Sequence, residues 1–335
     1  MFKYVKKNFN YGSKWFFGLC TDKVCKKKKF NVRVLVRDGS DISNLEKLNV
    51  EIFRGDLRDK YSINNAVKSC SIFFHAAADY RLWAKKKSEI YESNVLGTQN
   101  LIDAIKNIKN HKMVYTSSVA TIGLGDKESN EETPVTFNDI VGDYKKSKYL
   151  AEKLVENCVK KEDLNCVIVN PSTPIGPGDI KPTPTGKIIL QMLRGKMPAY
   201  VETGLNFVHV DDVANGHFLA LQKGLVGNKY ILGGENMSFK DFLDLIAEYG
   251  EVPKTNFRIS TSPLYPFAYM NELLGSTLKD YEPMLTLDGL KMSEKKMFFS
   301  SEKAKKNLGY RPRNIKDAIK DSVMWMKQFF LDKSK

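Results

Sequence analysis

Nowhere does this chain of 335 residues approach the ~20 consecutive apolar residues that a membrane-crossing helix needs, so no membrane span is expected. A signal-peptide core is missing too. Lys3, Lys6 and Lys7 are followed by Asn8, Asn10 and Lys14, which interrupt any apolar run, and a cytoplasmic location is expected. Cysteine is scarce: Cys20, Cys25, Cys70, Cys158 and Cys166 are odd in number and lack metal-ligand pairing. That excludes a disulfide framework or a zinc knuckle, so thiols in a reducing compartment and no metal are expected. There is no internal repeat and no low-complexity linker, which excludes a solenoid.

Acidic residues are the minority: 53 Lys and Arg against 39 Asp and Glu give a net charge of +14. Such a balance invites a nucleic-acid reading. The cations, however, are mostly lysines scattered through "KKKSE", "IKNIKNHK" and "SEKAKKN", with no arginine-rich stripe and no interleaved aromatics. They read as solvated helix faces, and no nucleic-acid partner is expected. The chain is rich in Lys, Asn, Ile, Phe and Tyr, the amino acids of A/T-rich codons, so genome composition accounts for much of the basicity.

From residue 31 onward strands and helices alternate. "NVRVLVR" and "VEIF" are short β-branched runs, "SIFFHAAA" is a buried strand ending in small residues, and "MVYTSS" and "CVIVNP" follow helical stretches. Helices are expected over Ser88–Asn107 and Tyr144–Lys160. This order predicts an α/β fold with a doubly wound parallel sheet. After Pro171 comes "PSTPIGPGDIKPTPTG", a Pro/Gly/Thr loop too long for a simple connection, and then "FVHVDDVANGHFLAL", "KYILGGE", the helix of "SFKDFLDLIAEYG" and a final amphipathic helix near Ile315–Leu331. The length allows a second, smaller C-terminal domain.

Tyr144 and Lys148 form Y-x-x-x-K at the opening of a helix, one turn apart and on one face. A tyrosine titrates near 10, and an ammonium one turn away favours the phenolate, so the pair can exchange a proton with a hydroxyl or carbonyl oxygen during hydride transfer. Alone, "YKKSK" in a lysine-rich helix is more often a solvated face. It gains weight from Ser117 and Ser118, which end the strand "MVYTSS" where α/β sheets bind ligands, although a Ser-Ser pair is also a common turn or cap.

With these pieces in hand, the sequence resembles the extended short-chain dehydrogenase/reductase family over nearly all of its length beyond residue 30. The matching segments are "RGDL" (54–57), "HAAA" (75–78), "NVLGT" (94–98), "VYTSS" (114–118), "YKKSK" (144–148), "NPSTPIGPGD" (170–179), "FVHVDDVA" (207–214) and "LGYRP" (308–312). Within the family it looks most like the hopanoid-associated sugar epimerases, with dihydroflavonol reductases as relatives. The resemblance implies a Rossmann domain over residues 1–170 and a mainly substrate-binding domain over 171–335, with 205–235 returning to the first. It implies Ser118, Tyr144 and Lys148 as the catalytic set with Asn94 near the proton relay. Asp56 and Leu57 would flank the adenine, Ala76, Ala77 and Ala78 would line the cofactor, and Pro171 and Ser172 would lie near the nicotinamide. The implied activity is an NAD(P)-dependent reductase or epimerase acting on a hydroxyl or ketone carbon of a small molecule such as a sugar or sugar nucleotide, with a homodimer as the assembly. Arg37 ends "VLVR" where a NAD enzyme usually carries an acid, so NADP is the expected cofactor, and Asp38 keeps NAD open.

One family element is missing. The first strand should run into T-G-x-x-G-x-x-G, whose glycines let backbone approach a pyrophosphate, yet "NFNYGSKWFFGLC" (8–20) offers only Gly12 and Gly18. One choice of synonymous codons for residues 8–23, read one nucleotide later, gives I-L-I-T-G-V-N-G-F-L-G-S-A-L-T. The Trp15 codon followed by Phe16 forces the central glycine, and lysine runs "VKK" and "CKKKKF" flank the segment. Residues 8 to about 25 therefore read as an out-of-frame translation, and if the chain exists as written, a catalytically silent scaffold becomes the competing reading.

Overall fold

Short apolar runs separated by helices must pair in parallel, since a helical crossover returns each strand in the same direction. A computed structural model of the chain describes residues 7–11, 30–42, 44–125, 127–278, 281, 283 and 285–332. Its strands are β1 (Lys7–Tyr11), β2 (Asn31–Val36), β3 (Glu51–Arg54), β4 (Ile72–His75), β5 (Lys112–Thr116), β6 (Cys166–Pro171), β7 (Thr173–Ile175), β8 (Ala199–Tyr200), β9 (Gly204–His209), β10 (Lys229–Leu232), β11 (Glu235–Ser238) and β12 (Phe257–Arg258). Seven of them form one sheet in the order β3-β2-β1-β4-β5-β6-β10, and every pairing in it is parallel. The order reverses at β1, which lies between β2 and β4 with Tyr11 opposite His75. A ligand crevice belongs outside the carboxyl ends of the strands at such a reversal.

Both faces of this sheet are buried, which is why its strands read as continuous apolar runs rather than alternating ones. Leu35, Phe73, Met113, Tyr115, Cys166 and Ile168 share one core with Leu101, Ile105, Ala151 and Val155 of the covering helices. The intervening Val34, Phe74, Val114, Val167 and Val169 enter a second core with Val213, Ala220, Tyr230, Ala304, Leu308 and Tyr310. Residues beyond 300 thus help cover the first sheet. Close approach explains two motif glycines. A Cβ on Gly55 would fall 1.9 Å from Ser62 Oγ, and one on Gly97 would fall 2.6 Å from Leu57 Cδ2.

A third core gathers Ile175, Ile189, Phe207, Phe242, Ile246, Ile319 and Val323, beneath a small sheet ordered β11-β9-β7. The long Pro/Gly/Thr segment is therefore partly ordered. It supplies β7 and runs into the Pro184–Leu193 helix, which Thr183 caps by accepting from Gly186 N–H. The expected Ser88–Asn107 helix is present but broken into Ser88–Tyr91, a π turn at Glu92–Leu96 and Gly97–Ile105. Cys70, Cys158 and Cys166 are buried and form no disulfide, while Cys20 and Cys25 lie outside the described residues, as does the expected glycine loop. Among the described residues no helix is long and apolar enough to cross a membrane.

Candidate active site

β5 delivers Ser117 and Ser118 to the crevice side of the sheet. Ser118 has extended backbone and caps the next turn, its Oγ accepting from Ala120 N at 3.1 Å. The Ser118 side chain also lies near enough to the Tyr144 phenol to lower its pKa. Tyr144 occupies the first turn of the Asp143–Lys161 helix, which starts after Gly142 at φ +88°. Lys148 and Glu152 follow at successive turns on the same face, and both are buried.

Lys148 Nζ donates to the Thr116 carbonyl at 2.7 Å and to Tyr115 Oη at 3.1 Å, lying 4.6 Å from the centre of the Tyr115 ring. Burial raises the Tyr144 pKa above the ordinary 10, the nearby Ser118 hydroxyl pulls it down, and the Asp79 carboxylate adds to the rise. The phenol is a neutral acid, not a phenolate. Lys148 itself is pushed down to about 7 by burial, against the upward pull of Glu152.

Asn94 sits in the π turn and ties two elements together. Its Oδ1 accepts from Asp79 N at 2.7 Å, and its Nδ2 donates to the Asp79 carbonyl at 3.0 Å and to Ser147 Oγ at 2.8 Å. The loop after β4 is thereby fastened to the helix that carries Tyr144. π turns recur at such positions because the widened turn re-aims a side chain. Beneath lies His75, fully buried, its Nε2 2.8 Å from Thr98 Oγ1, with burial and the neighbouring Lys148 charge lowering its pKa to about 3.

Sequence reasoning missed a buried polar network next to Ser118. Glu152 Oε2 accepts from Thr121 Oγ1 at 2.7 Å and from Asn170 Nδ2 at 2.8 Å, while Oε1 accepts from Lys229 Nζ at 2.7 Å. Asn170 and Thr121 in turn donate to the Ser118 carbonyl at 3.1 and 2.8 Å. The available signal was periodicity, since Glu152 is two turns beyond Tyr144. Asn170 and Lys229 carried none, because only the fold brings them together.

Arg37, Asp56, Leu57, Ala77 and Ala78, of the expected cofactor residues, line two cavities on the carboxyl side of the sheet. The larger, of about 1000 Å³, is bounded by Arg37, Asp56, Leu57, Ala77, Ala78 and Asp79 among others; the smaller, of about 790 Å³, is bounded by Arg37, Arg54, Asp56 and Arg58. Burial disfavours the charged form of Asp56, but hydrogen bonds from Arg58 at 2.7 to 3.1 Å outweigh it and hold the carboxyl below its usual range. Ala76 follows β4 directly and is half-buried. Pro171 ends β6 opposite Leu232, and the Ser172 Oγ beside it is buried with no hydrogen-bond partner among the described residues. Ser118, Tyr144 and Lys148 do not line either cavity; Asp79, which does, connects them through Asn94. The apolar walls at Leu57 and the alanines, with arginines beside them, fit an extended dinucleotide.

The model of the NAD dependent epimerase/dehydratase family matches residues 16–233, about two-thirds of the chain. The chain belongs to this family. Among its relatives is a Synechocystis protein carrying a provisional dihydroflavonol 4-reductase name, 42% identical over 305 residues that cover 88% of this chain and 87% of that one. The sterol demethylase protein B of Methylococcus capsulatus is 28% identical over 300 residues, covering 89% and 91% of the two chains. The crystal structure of gox2253 superposes with a TM-score of 0.87 at 45% identity over 97% of this chain and 99% of that one. The UDP-glucuronic acid 4-epimerase of Bacillus cereus, in complex with NAD, superposes at 0.77 with 18% identity over 97% of each chain, a likeness of fold. As a family member the protein is an enzyme with a Rossmann-like parallel sheet.

Proposed function

We propose that this family member is an NAD(P)-dependent oxidoreductase that reduces a ketone to an alcohol, with Tyr144 as proton donor, Ser118 orienting the oxygen and Lys148 as the buried cation beside them. The carrying observation is the partly buried Tyr144 phenol, whose pKa burial raises so that it stays protonated, with the Ser118 hydroxyl near enough to influence it. A protonated phenol can give its hydrogen to a carbonyl oxygen that gains charge, which suits reduction better than proton abstraction. Arg37, Asp56, Leu57, Ala76, Ala77 and Ala78 would hold the dinucleotide, with Pro171 and Ser172 at its nicotinamide end. A reduced nicotinamide, when bound, supplies the hydride. Tyr144 supplies the proton to the oxygen, and Asn94 keeps the helix of Tyr144 in register with the loop after β4. Residues 1–170 would serve the cofactor and 171–335 mainly the substrate, with 205–235 serving the first.

NADP is the preferred cofactor in this reading, since Arg37, Arg54 and Arg58 gather at the smaller cavity while Asp56 is engaged by Arg58. The reductase name of the 42% identical Synechocystis relative supports reduction, while sugar-nucleotide epimerisation draws on likenesses of fold. The same reading takes residues 8 to about 25 as an out-of-frame translation. Its support is β1, whose backbone occupies the middle of the sheet, a position that favours an unbroken apolar run, whereas the written residues include Asn8 and Asn10. The shifted frame places I-L-I-T there.

The test is a screen of ketones and sugar nucleotides with NADPH and NADH, following nicotinamide absorbance and, separately, epimer formation without net cofactor turnover. It uses a protein carrying the in-frame loop. Oxidation of NADPH by a ketone, in proportion to alcohol formed, supports the reading. Epimer formation without net oxidation would replace it with the sugar-epimerase alternative, and failure to bind either dinucleotide would favour the silent scaffold.

A further inference from the structure

The Tyr265–Thr277 helix turns most of its large apolar side chains to solvent. It buries only Ala268 and Gly275, and its polar residues are turned to the protein: Glu272 Oε1 accepts from Leu287 N at 2.8 Å, Asn271 accepts from the Tyr281 hydroxyl, and Tyr265 donates to Glu294 at 3.0 Å. Phe267, Met270, Leu273 and Leu274, with Tyr269 beside them and Leu278 just beyond, face solvent at 41 to 65% exposure. Of the fifteen exposed large apolar side chains among the described residues, six lie in these twelve positions, so this is a patch and not scatter. A helix that shows its apolar stripe to water is built to be covered.

The surroundings say by what. Glu272, the one ionisable carboxylate on the helix, is engaged by backbone, leaving the exposed stripe uncharged. Lys85, Lys86 and Lys87 are exposed and begin two residues after Trp83, whose ring would lie 3.0 Å from a Cβ on Gly275. Lys291, Lys295 and Lys296 are exposed on the Leu287–Ser293 helix and its exit, the segment whose Leu287 N donates to Glu272. The whole chain carries +14, which opposes pairing with a second copy and favours a negative surface. Exposed apolar side chains on this helix with lysines on the adjoining segments suit an anionic bilayer surface, the former entering the interface and the latter meeting the head groups. The same helix adjoins the larger cavity, since Trp83 and Pro283 both line that cavity and abut Gly275.

We propose that the Tyr265–Thr277 helix docks the protein peripherally on an anionic lipid bilayer, placing the mouth of the larger cavity against the membrane so that an apolar, lipid-dissolved substrate can enter it. Docking itself does not depend on which residue donates the proton, and its test reads no turnover. The intact protein is floated with vesicles of phosphatidylcholine alone and of phosphatidylcholine with one-third phosphatidylglycerol, at low and high salt. It should float with the anionic vesicles and be released by salt. Replacing Phe267, Leu273 and Leu274 together by Ser should weaken binding at least about tenfold, and Lys85→Gln or Lys86→Gln about fivefold each. Thermal unfolding checks that the triple variant is folded; were it not, Phe267→Ser alone serves, with a smaller loss. Failure of the wild-type protein to float with either vesicle overturns the proposal, as does flotation unchanged by the substitutions. A dimer in sedimentation that the triple variant dissociates, without any vesicle binding, would show that the face pairs with a second copy instead.

Discussion

The carboxyl ends of β5 and β1 face the same crevice, yet they carry their function in different ways. After β5 the proposed chemistry rides on side chains: hydrogen bonds join Ser118, Thr121, Asn170 and Glu152, and Tyr144 and Lys148 share the helix of Glu152. After β1 the family's chemistry rides on backbone N–H groups that only glycines bring close enough to a pyrophosphate. A shift of reading frame over residues 8 to about 25 would erase the second kind while leaving the first untouched. The contrast can be broken from either side.

The largest effect is expected on the side-chain half. In a protein with a working phosphate loop, Tyr144→Phe removes the proton-donating oxygen and keeps most of the ring's packing, so turnover should fall by roughly 10²–10⁴ with cofactor affinity little changed. Wild-type turnover by this variant would reduce "YKKSK" to a helix face. Next comes the backbone half. Restoring the in-frame loop should tighten dinucleotide binding by about a hundredfold, the worth of two charge-assisted hydrogen bonds, as read by calorimetry on both versions. Equal binding by the chain as written would remove the frameshift argument.

How much of this was legible depends on whether a residue's partner is near in sequence. The parallel sheet could be read because the runs at 31–36, 72–75, 112–116 and 166–171 are each apolar on both faces and separated by helical stretches. The Tyr144 and Lys148 pair could be read because one helical turn relates them. The acceptor of Lys148 could not, since Tyr115 lies 33 residues away and looks like one more aromatic in a buried strand. Nor could the Thr121, Asn170 and Lys229 contacts to Glu152, which reach 31, 18 and 77 residues along the chain. For the Tyr265–Thr277 helix the stripe itself is visible in "PFAYMNELL", but periodicity does not say whether a stripe faces the core or the solvent.

The Lys148 environment gives a prediction of intermediate size. Its pKa is lowered to about 7 in the folded protein, while an unfolded lysine titrates near 10.5. If the cation is the working form, kcat/KM should fall as pH rises through about 7, and Lys148→Met should abolish that limb along with most of the activity. Stability provides an independent reading. Between about 7 and 10.5 the unfolded state binds the extra proton, so wild-type stability should rise with pH across that window relative to Lys148→Met. A melting-temperature difference that stays constant from pH 7 to 10 would mean that Lys148 is not held in a desolvated site.

The smallest expected effect concerns the rim of the cavities, where solvent screens every charge. Arg37 is exposed, lines both cavities, offers its carbonyl to Arg54 Nη1 at 3.2 Å, and carries its charge near enough to Asp56 to favour that carboxylate. Arg37→Asp replaces a partner for a 2′-phosphate with a repelling carboxylate and offers the ribose hydroxyl an acceptor. Because the site is open, the change in the NADP-to-NAD affinity ratio should be about five- to tenfold rather than the thousandfold of a buried pair. Salt should shrink it further, since an exposed pair is screened within a Debye length of ~8 Å. Calorimetric titration of both dinucleotides at low and high salt measures the ratio. An unchanged ratio at low salt would show that Arg37 does not meet the ribose, and would leave Arg54 and Arg58 as the cations to test at the same rim.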